Sequence, residues 1–212
     1  MSKIFIIGAK GFAKELLEVV LQSDPGTEVT FYDDVSKDLP DRLFGLYSVV
    51  RNEEEAAEYF KTEGNTFALG VGDPEARSKL YKKFVDLGGI PTAIVSRYAK
   101  IGKINNKIGP GTCILTDAVI ESCNSIKRGS LVHSGAFISH DVRVGEFCEI
   151  SPKVSLLGNV TIGNSCRIGT GSIILPTVTV GNNVTVGAGA VVTRDVGDNL
   201  TVVGIPARPI SR

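Results

Sequence analysis

Several residue types are scarce in this chain of 212 residues, and each shortage narrows what it can be. It has no tryptophan, one methionine, two histidines and four cysteines. The cysteines are not spaced as C-x-x-C pairs, and no histidine follows them at zinc-finger spacing. We therefore expect no metal site, and we interpret the cysteines as small buried thiols of a reducing compartment, the cytoplasm. They are Cys113, Cys123, Cys148 and Cys166.

An excess of charge and a long hydrophobic run are also missing. The 23 basic residues balance the 23 acidic ones, so the formal net charge is zero. A nucleic-acid partner that needs a broad basic surface is therefore not expected. The longest early apolar run, residues 4–9, is too short for a signal sequence or a membrane span, so we expect no membrane partner.

The second half of the sequence has a strict period of six residues instead. From Ile108 to Val192, all fifteen residues at steps of six are Ile, Leu or Val, and glycine often follows them directly. A second column, four residues later, is mostly small or β-branched. Neither an α-helix nor a simple strand has this period. The pattern predicts short strands with a turn in every hexad, three of which close a triangular coil that stacks on the next.

The first half begins with a buried strand, a glycine turn and a helix. The turn is Gly8, Ala9, Lys10 and Gly11, and helical spacing of apolar residues follows it. Such a turn lets a phosphate approach the backbone at a helix N-terminus. It is only a G-x-x-G and not a full dinucleotide fingerprint, so a tight turn without a ligand explains it equally well.

Alternating strands and helices continue through this half. The strand 28–34 ends at Asp33 and Asp34, where a nucleotide-binding unit grips ribose or base. The segment 66–73 predicts a strand that runs into a second glycine turn, with Gly70 and Gly72. Segments 52–60 and 75–87 predict helices, and "PTAIV" predicts a last strand. We expect a parallel, Rossmann-like α/β domain over 1–95 and the repeat domain over 96–212.

Both halves together resemble a known family. The hexads, with "GAKGFAKELLEVV", "GVGDPEAR", "ISHD", "GNVTIG" and "GIPARPI", resemble sugar acetyltransferases that join a Rossmann-like domain to a hexapeptide-repeat β-helix. Among them are N-acetyltransferases of nucleotide-linked 4-amino-4,6-dideoxy sugars and sialic acid O-acetyltransferases. The resemblance implies a left-handed parallel β-helix, a homotrimer, and acetyl-CoA as the acetyl donor without a metal.

The period also predicts one specific contact. His140 stands two places after Ile138, and Gly158 stands two places after Leu156, one coil further on. Imidazole is suited to accept a proton near neutral pH, and a glycine N–H is open to a developing oxyanion. The resemblance implies that His140 is the general base, that Asp141 orients it, and that Gly158 binds the acetyl carbonyl. A surface histidine without a catalytic role is the alternative.

Two residues depart from the family pattern as we know it. His133 stands where asparagine is common, and Glu149 stands where some relatives have a second histidine near the acetyl group. Both positions belong to the expected acceptor pocket, so we predict that they contact the substrate. For His133, a purely structural role stays equally open.

The resemblance also implies the residues that bind coenzyme A. Backbone groups of the late repeats would contact the pantetheine arm, and Arg208 would contact a phosphate or the adenine, unless it is only a solvated tail residue. The late-repeat residues are Gly169, Thr170, Gly187 and Ala188.

The predicted function is that of a cytoplasmic, homotrimeric, acetyl-CoA-dependent N-acetyltransferase. Its acceptor would be a nucleotide-activated amino sugar that attacks the thioester directly. An O-acetyltransferase of sialic acid or a similar sugar and a non-catalytic nucleotide-binding trimer are the alternatives. NAD-dependent redox chemistry is disfavoured because the fingerprint is incomplete. The nucleotide base and the stereochemistry of the sugar are not determined by the sequence.

Overall fold

A six-stranded sheet and a stack of triangular coils share this chain, and the computed structural model describes both over residues 2–210. The sheet has the strand order β3-β4-β2-β1-β5-β6, and its pairs are parallel except β3 with β4. Its elements are β1 (Lys3–Ile7), α1 (Gly11–Ser23), β2 (Glu28–Tyr32), β3 (Arg42–Leu43), β4 (Tyr47–Val50), α2 (Glu53–Thr62), β5 (Thr66–Leu69), α3 (Pro74–Asp86) and β6 (Ile90–Pro91).

The helices begin where the sequence supplies caps, with one exception. The Asn52 side chain accepts the Glu55 N–H at the start of α2, and Asp73 accepts the Ala76 N–H at the start of α3. Helix α1 has no side-chain cap and no acidic residue in its first turn. The first N–H groups of α1 are therefore left for another partner.

Two features of this half differ from the prediction. The hairpin β3–β4 was not predicted, because its strands are short and the chain turns at Phe44 and Gly45 in positive φ without a usual hairpin dipeptide. The single strand predicted for "PTAIV" was wrong. Pro91 ends β6 at the edge of the first sheet, and the chain re-enters strand conformation at Ile94, in a different sheet. The chain thus changes sheets just before the expected division at residue 95.

The remaining residues form a parallel β-helix with three faces. Face 1 contains β7, β10, β13, β16, β19, β22, β24 and the antiparallel β25; face 2 contains β8, β11, β14, β17, β20 and β23; face 3 contains β9, β12, β15, β18 and β21. The strands are β7 (Ile94–Val95), β8 (Lys100–Ile101), β9 (Lys107–Ile108), β10 (Cys113–Ile114), β11 (Val119–Ile120), β12 (Ser125–Ile126), β13 (Leu131–Val132), β14 (Phe137–Ile138), β15 (Arg143–Val144), β16 (Glu149–Ile150), β17 (Ser155–Leu156), β18 (Thr161–Ile162), β19 (Arg167–Ile168), β20 (Ile173–Ile174), β21 (Thr179–Val180), β22 (Thr185–Val186), β23 (Val191–Val192), β24 (Thr201–Val203) and β25 (Arg208–Ile210).

The hexad explains this geometry residue by residue. From Ile114 to Val192 the repeating aliphatic side chain is buried and stacks on its equivalent one coil away. Every sixth residue from Gly111 to Gly189 turns the corner with positive φ. The predicted coil is confirmed by the register, in which Ile114 pairs with Val132 and Val132 with Ile150. The β-helix is of the left-handed form that the resemblance implies.

The α/β half packs on face 1 of the β-helix. Cys113, Leu115 and Leu131 point outward from that face, and they are buried in one cluster with residues of β1, α1 and β2. The edge between faces 2 and 3, called edge 2/3 below, lies opposite face 1 in the triangular section. The α/β half therefore leaves edge 2/3 of its own chain uncovered.

Candidate active site

Edge 2/3 brings His140 and Gly158 together, as the period predicts. A Cβ atom added to Gly158 would lie 2.7 Å from both Cε1 and Nε2 of His140, so the ring lies directly over the glycine backbone. The Nδ1 atom of His140 lies 2.9 Å from Oδ2 of Asp141. Both side chains are about half exposed, with accessible fractions of 55% and 52%. A substrate can therefore reach this edge.

The contact with Asp141 determines which imidazole nitrogen is available. A carboxylate only accepts hydrogen bonds, so Nδ1 of His140 carries the hydrogen toward Asp141. The lone pair then resides on Nε2, the atom that faces Gly158. The turn that presents this pair depends on Asp141 itself, whose φ of 60° forms the corner of the coil. Aspartate is one of the few residues that adopt this conformation readily.

The N–H of Gly158 has no hydrogen-bond acceptor within residues 2–210, and the ring of His140 covers the glycine. At the equivalent repeat position on the edge between faces 3 and 1, the N–H groups of Glu146, Asn164 and Asn182 each donate to a side-chain oxygen of the next coil. Within residues 2–210, the Gly158 N–H donates to no such acceptor. A carbonyl oxygen next to Nε2 of His140 would therefore find an unused donor.

A second candidate site is a cavity of about 440 Å³ in the α/β half. It lies at the carboxyl ends of the parallel strands, where open α/β sheets bind ligands. This cavity is lined by all eight residues that the sequence predicted to bind the nucleotide in the α/β half. The two glycine turns meet there because each follows a parallel strand of the same sheet. The eight residues are Gly8, Ala9, Lys10, Gly11, Asp33, Asp34, Gly70 and Gly72.

The uncapped start of α1 opens into this cavity. Lys10, Gly11 and Phe12 line it at the beginning of the helix. A Cβ atom added to Gly11 would touch nothing within 4 Å, so the space beside the helix end is open. Unpaired N–H groups and the positive end of the helix dipole favour an anion at this position.

The two predicted acids already have partners within the chain. Asp33 accepts hydrogen bonds from the N–H groups of Val35 and Ser36, which fixes the turn after β2. Asp34 accepts from the Tyr32 hydroxyl at 2.8 Å and from Lys83 at 3.1 Å. A ligand that binds here meets carboxylates whose orientation is already fixed.

This network shifts several pKa values. Burial, followed by the bond to Asp34, raises the pKa of Tyr32 to about 12. Burial alone would lower the pKa of Lys83, but its bonds to Glu53, Tyr32 and Asp34 raise it above the ordinary value. Burial would likewise raise the pKa of Asp34, yet hydrogen bonds from Tyr32 and Lys83 lower it. The sequence analysis did not identify Tyr32 and Lys83 as partners of Asp34, because α3 brings Lys83 to the sheet only in the folded protein.

His133 and Glu149 lie on face 1, beside the cavity. Nε2 of His133 is 3.5 Å from Oε1 of Glu149, and the ring of Phe12 lies 5.6 Å from the imidazole, measured between ring centres. Glu149 is also next to Gly72, at 3.9 Å from the position of an added Cβ atom. A ligand that extends from the cavity toward the β-helix would meet this pair.

The mouth of the cavity also has an ion pair that the sequence did not predict. Oδ2 of Asp73, the residue that caps α3, binds the guanidinium of Arg167 on the β-helix. Arg167 lies one coil beyond Glu149 on face 1. Asp73 could have been recognised as a cap before Pro74, but its partner depends on how the two halves pack.

The two candidate sites of one chain face away from each other. The cavity lies over face 1, and its neighbours His133, Glu149 and Arg167 all belong to that face. His140 and Gly158 lie on edge 2/3, which is opposite. The sequence predicted that these groups form one active site and left open which subunit supplies each part, and the fold of a single chain does not join them.

The residues predicted for coenzyme A lie on a third part of the β-helix. Gly169, Thr170, Gly187 and Ala188 lie where face 1 turns into face 2, and close backbone approach explains the glycines. A Cβ atom on Gly169 would be 2.6 Å from the Val186 oxygen. Arg208 lines a cavity of about 180 Å³ at the last coil and donates to the carbonyl of Ala207.

Comparison with known proteins gives matches over the whole chain. The family model "PglD N-terminal domain" matches residues 3–84, and "Bacterial transferase hexapeptide (six repeats)" matches residues 159–194. The acetyltransferase domain of PglB from Neisseria gonorrhoeae is 30% identical, with a TM-score of 0.91 over 99% of this chain and 100% of that one. WeeI from Acinetobacter baumannii is 26% identical, with a TM-score of 0.89 over 99% and 100%. PerB from Caulobacter crescentus, solved with CoA and GDP-perosamine, is 25% identical, with a TM-score of 0.89 over 100% and 98%.

The match to the hexapeptide transferase model and the similarity to a solved acetyltransferase domain show that the chain is an acyltransferase of the hexapeptide class. With the matches above, the chain belongs to the sugar acetyltransferases that join a PglD-type N-terminal domain to such a β-helix. The family predicted from the sequence is confirmed. In the described range, 2–210, no helix is long and apolar enough to cross a membrane.

Proposed function

We propose that this enzyme transfers the acetyl group of acetyl-CoA to the amino group of a nucleotide-linked amino sugar, a 4-amino-4,6-dideoxy hexose. The observation that carries the proposal is the arrangement on edge 2/3. There, Nε2 of His140 lies over the Gly158 backbone while Asp141 binds Nδ1. This arrangement supplies one proton acceptor and one oxyanion donor at the same place, which is what amide formation from a thioester requires.

The chemistry follows from these groups. The amine nitrogen attacks the thioester carbon, and Nε2 of His140 accepts the proton that the nitrogen loses. The Gly158 N–H donates to the oxygen that becomes negative in the tetrahedral intermediate. Collapse of the intermediate breaks the carbon–sulfur bond, and the imidazolium returns the proton to the CoA thiolate. Asp141 stabilises the imidazolium between these two steps.

The cavity of the α/β half is the site we assign to the nucleotide. Its diphosphate would bind at the uncapped start of α1, from Gly8 to Gly11, and the nucleoside would lie toward Asp33 and Asp34. The sugar would then extend past Gly72 to His133 and Glu149. The relative PerB was solved with CoA and GDP-perosamine, which supports an acceptor of this class.

The opposite placement of the two sites supports a composite active site. We propose a homotrimer in which edge 2/3 of one chain faces the cavity of its neighbour. Coenzyme A would lie in the groove between them, along Gly169, Thr170, Gly187 and Ala188 and with Arg208 near its phosphates.

The enzyme would act in the cytoplasm, where acetyl-CoA and nucleotide sugars are made, and it would serve polysaccharide biosynthesis.

Thermal shift with acetyl-CoA, UDP, GDP and dTDP, followed by an assay of CoA release, tests this function. We expect acetyl-CoA and one of the nucleotides to raise the melting temperature, because ligands stabilise the state that they bind. The matching 4-amino sugar nucleotide should then release CoA. If no nucleotide binds and CoA is released with a free hydroxylated sugar, the enzyme is an O-acetyltransferase. If acetyl-CoA does not bind and no amino sugar releases CoA, the protein is not a transferase.

A further inference from the structure

Arg77 is the largest side chain that is completely buried in the described chain, and it lines neither candidate site. Its guanidinium has five N–H donors, and five acceptors surround it. Nε donates to the Gly129 carbonyl at 2.7 Å, and Nη1 donates to the carbonyls of Leu69 at 2.9 Å and Val71 at 2.7 Å. Nη2 reaches the Gly111 carbonyl at 3.2 Å and the sulfur of Cys113 at 3.8 Å.

All five acceptors of Arg77 are neutral, so the burial of its charge is not compensated by an ion pair. An ionised group in such a place is stable only when its hydrogen bonds are complete. A lysine has only three donors, all on one atom, and an apolar side chain of similar length, such as methionine, has none. The position therefore demands the planar fork of arginine and not merely a cation.

The acceptors belong to two different parts of the protein. Leu69 and Val71 flank Gly70 in the glycine turn of the nucleotide cavity. Gly111 and Gly129 belong to successive coils of the β-helix, one full turn apart. One side chain thus fixes the floor of the cavity to the β-helix.

Gly70 transmits this constraint to the phosphate turn. A Cβ atom added to Gly8 would lie 2.8 Å from the Gly70 oxygen, and one added to Gly70 would lie 2.8 Å from the Cβ atom of Ala13 in α1. The packing is so close that a shift of Gly70 would displace Gly8 or the first turns of α1. Those are the elements at which the diphosphate is proposed to bind.

We propose that Arg77 is a positioning residue for the nucleotide sugar. By holding the carbonyls on both sides of Gly70, it sets the position of the phosphate turn relative to the β-helix that carries the chemistry. This inference rests on the proposed function, because it assumes that the cavity binds the nucleotide.

Arg77→Lys tests the proposal, with Arg128→Lys as its matched control. Arg128 is half exposed and pairs with Glu146, and its guanidinium carbon lies 5.8 Å from the ring centre of Tyr81 in α3, at the same junction between the two halves. For Arg77→Lys we expect the KM of the nucleotide sugar to rise at least about tenfold, while the KM of acetyl-CoA changes less than about twofold. The control should keep both constants. Equal constants for Arg77→Lys and the wild-type enzyme would overturn the proposal.

Hydrogen exchange provides a readout that does not depend on activity. In Arg77→Lys, the hydrogen-bonded amides of Gly8, Lys14 and Gly70 should exchange faster, while amides of distant coils near residues 150–175 should keep their protection. Uniform loss of protection would mean that Arg77 is only structural. If Arg77→Lys does not fold, hydrogen exchange of the wild-type protein tests the proposal instead. Under increasing denaturant, segments 69–72 and 111–131 should open together, and independent opening would refute the proposal.

The two proposals fail in different ways. If the wild-type protein binds none of the three nucleotides, the proposed function fails before Arg77 is considered. If the wild-type protein binds a nucleotide and Arg77→Lys binds it equally well, only the role of Arg77 is wrong.

Discussion

The two halves of this molecule place functional groups by different means. The β-helix repeats one backbone geometry, so that an aliphatic stack fills its interior and a corner of positive φ recurs every six residues. The α/β half packs an aromatic cluster of Phe5, Phe60, Phe67 and Phe84 and places a cavity at an uncapped helix. A rigid repeat suits a reaction that needs two atoms held in one geometry. A cavity with a helix end suits the binding of an anionic ligand.

The largest effect should come from the edge of the β-helix. His140→Ala removes the proton acceptor, and we expect kcat to fall by about 10²–10⁴-fold, as for loss of a general base. The side chain is half exposed and supports no core, so the melting temperature should change little. Nucleotide-induced stabilisation should persist, because the cavity is formed by other residues. Near-normal turnover of this variant would show that His140 is not the base.

A smaller effect should follow from Gly158→Ala. The added methyl group would lie 2.7 Å from the His140 ring and would obstruct the approach to the Gly158 N–H. We expect roughly a hundredfold loss in kcat, the size seen when one oxyanion donor is lost. Gly26→Ala is the matched control, since its new Cβ atom would meet only Asp24, at 3.5 Å. Equal rates for the two variants would remove Gly158 from the mechanism.

The smallest effect concerns Tyr32 in the α/β half and is a change in how folding stability depends on pH. The pKa of Tyr32 is raised from 10.0 to about 12 in the folded protein. The unfolded chain releases this proton near pH 10, so the stabilisation is complete below pH 10 and is lost between pH 10 and 12. We expect Tyr32→Phe to lose less stability than the wild-type protein over that range, by an amount on the order of 1–3 kcal/mol.

Melting curves at several alkaline pH values measure this difference. The buried thiol of Cys113, whose pKa is also raised by burial, is present in both proteins and cancels in the comparison. Lys83 does not cancel, because Tyr32 helps to raise its pKa, but the loss of that partner in Tyr32→Phe also weakens the pH dependence and so acts in the same direction. Parallel pH profiles for Tyr32→Phe and the wild-type protein would contradict the assigned network of Tyr32, Asp34 and Lys83.

The repetitive β-helix and the irregular α/β half also differ in how much of each could be predicted from the sequence. In the β-helix, counting by eighteen was enough to put Gly158 beside His140, because the repeat leaves no freedom in the register. In the α/β half, the glycine turns and the paired acids identified the cavity lining, because turn chemistry is local. Lys83, Arg77 and Arg167 could not be identified, since each acts on a partner that only tertiary packing brings near.

The packing of the two halves against each other could not be predicted from the hexads. The hexads specify which side chains point outward from face 1, but they do not say that Leu115 and Leu131 are covered by α1 and β1. That covering is what turns edge 2/3 away from the cavity of the same chain. The inference of a composite site therefore depends on the structure and not on the motifs.

Subunit complementation tests the composite site most directly. One variant, His140→Ala, lacks the base. The other, Gly11→Asp, puts a carboxylate into open space at the start of α1, which repels a diphosphate while suiting the helix dipole. Each variant alone should be nearly inactive. When the two are co-expressed in equal amounts, random assembly should restore about a quarter of wild-type activity, because a quarter of the interfaces then combine an intact base with an intact cavity. A mixture that stays as inactive as its components would contradict the account, because both halves of the site would then belong to one chain.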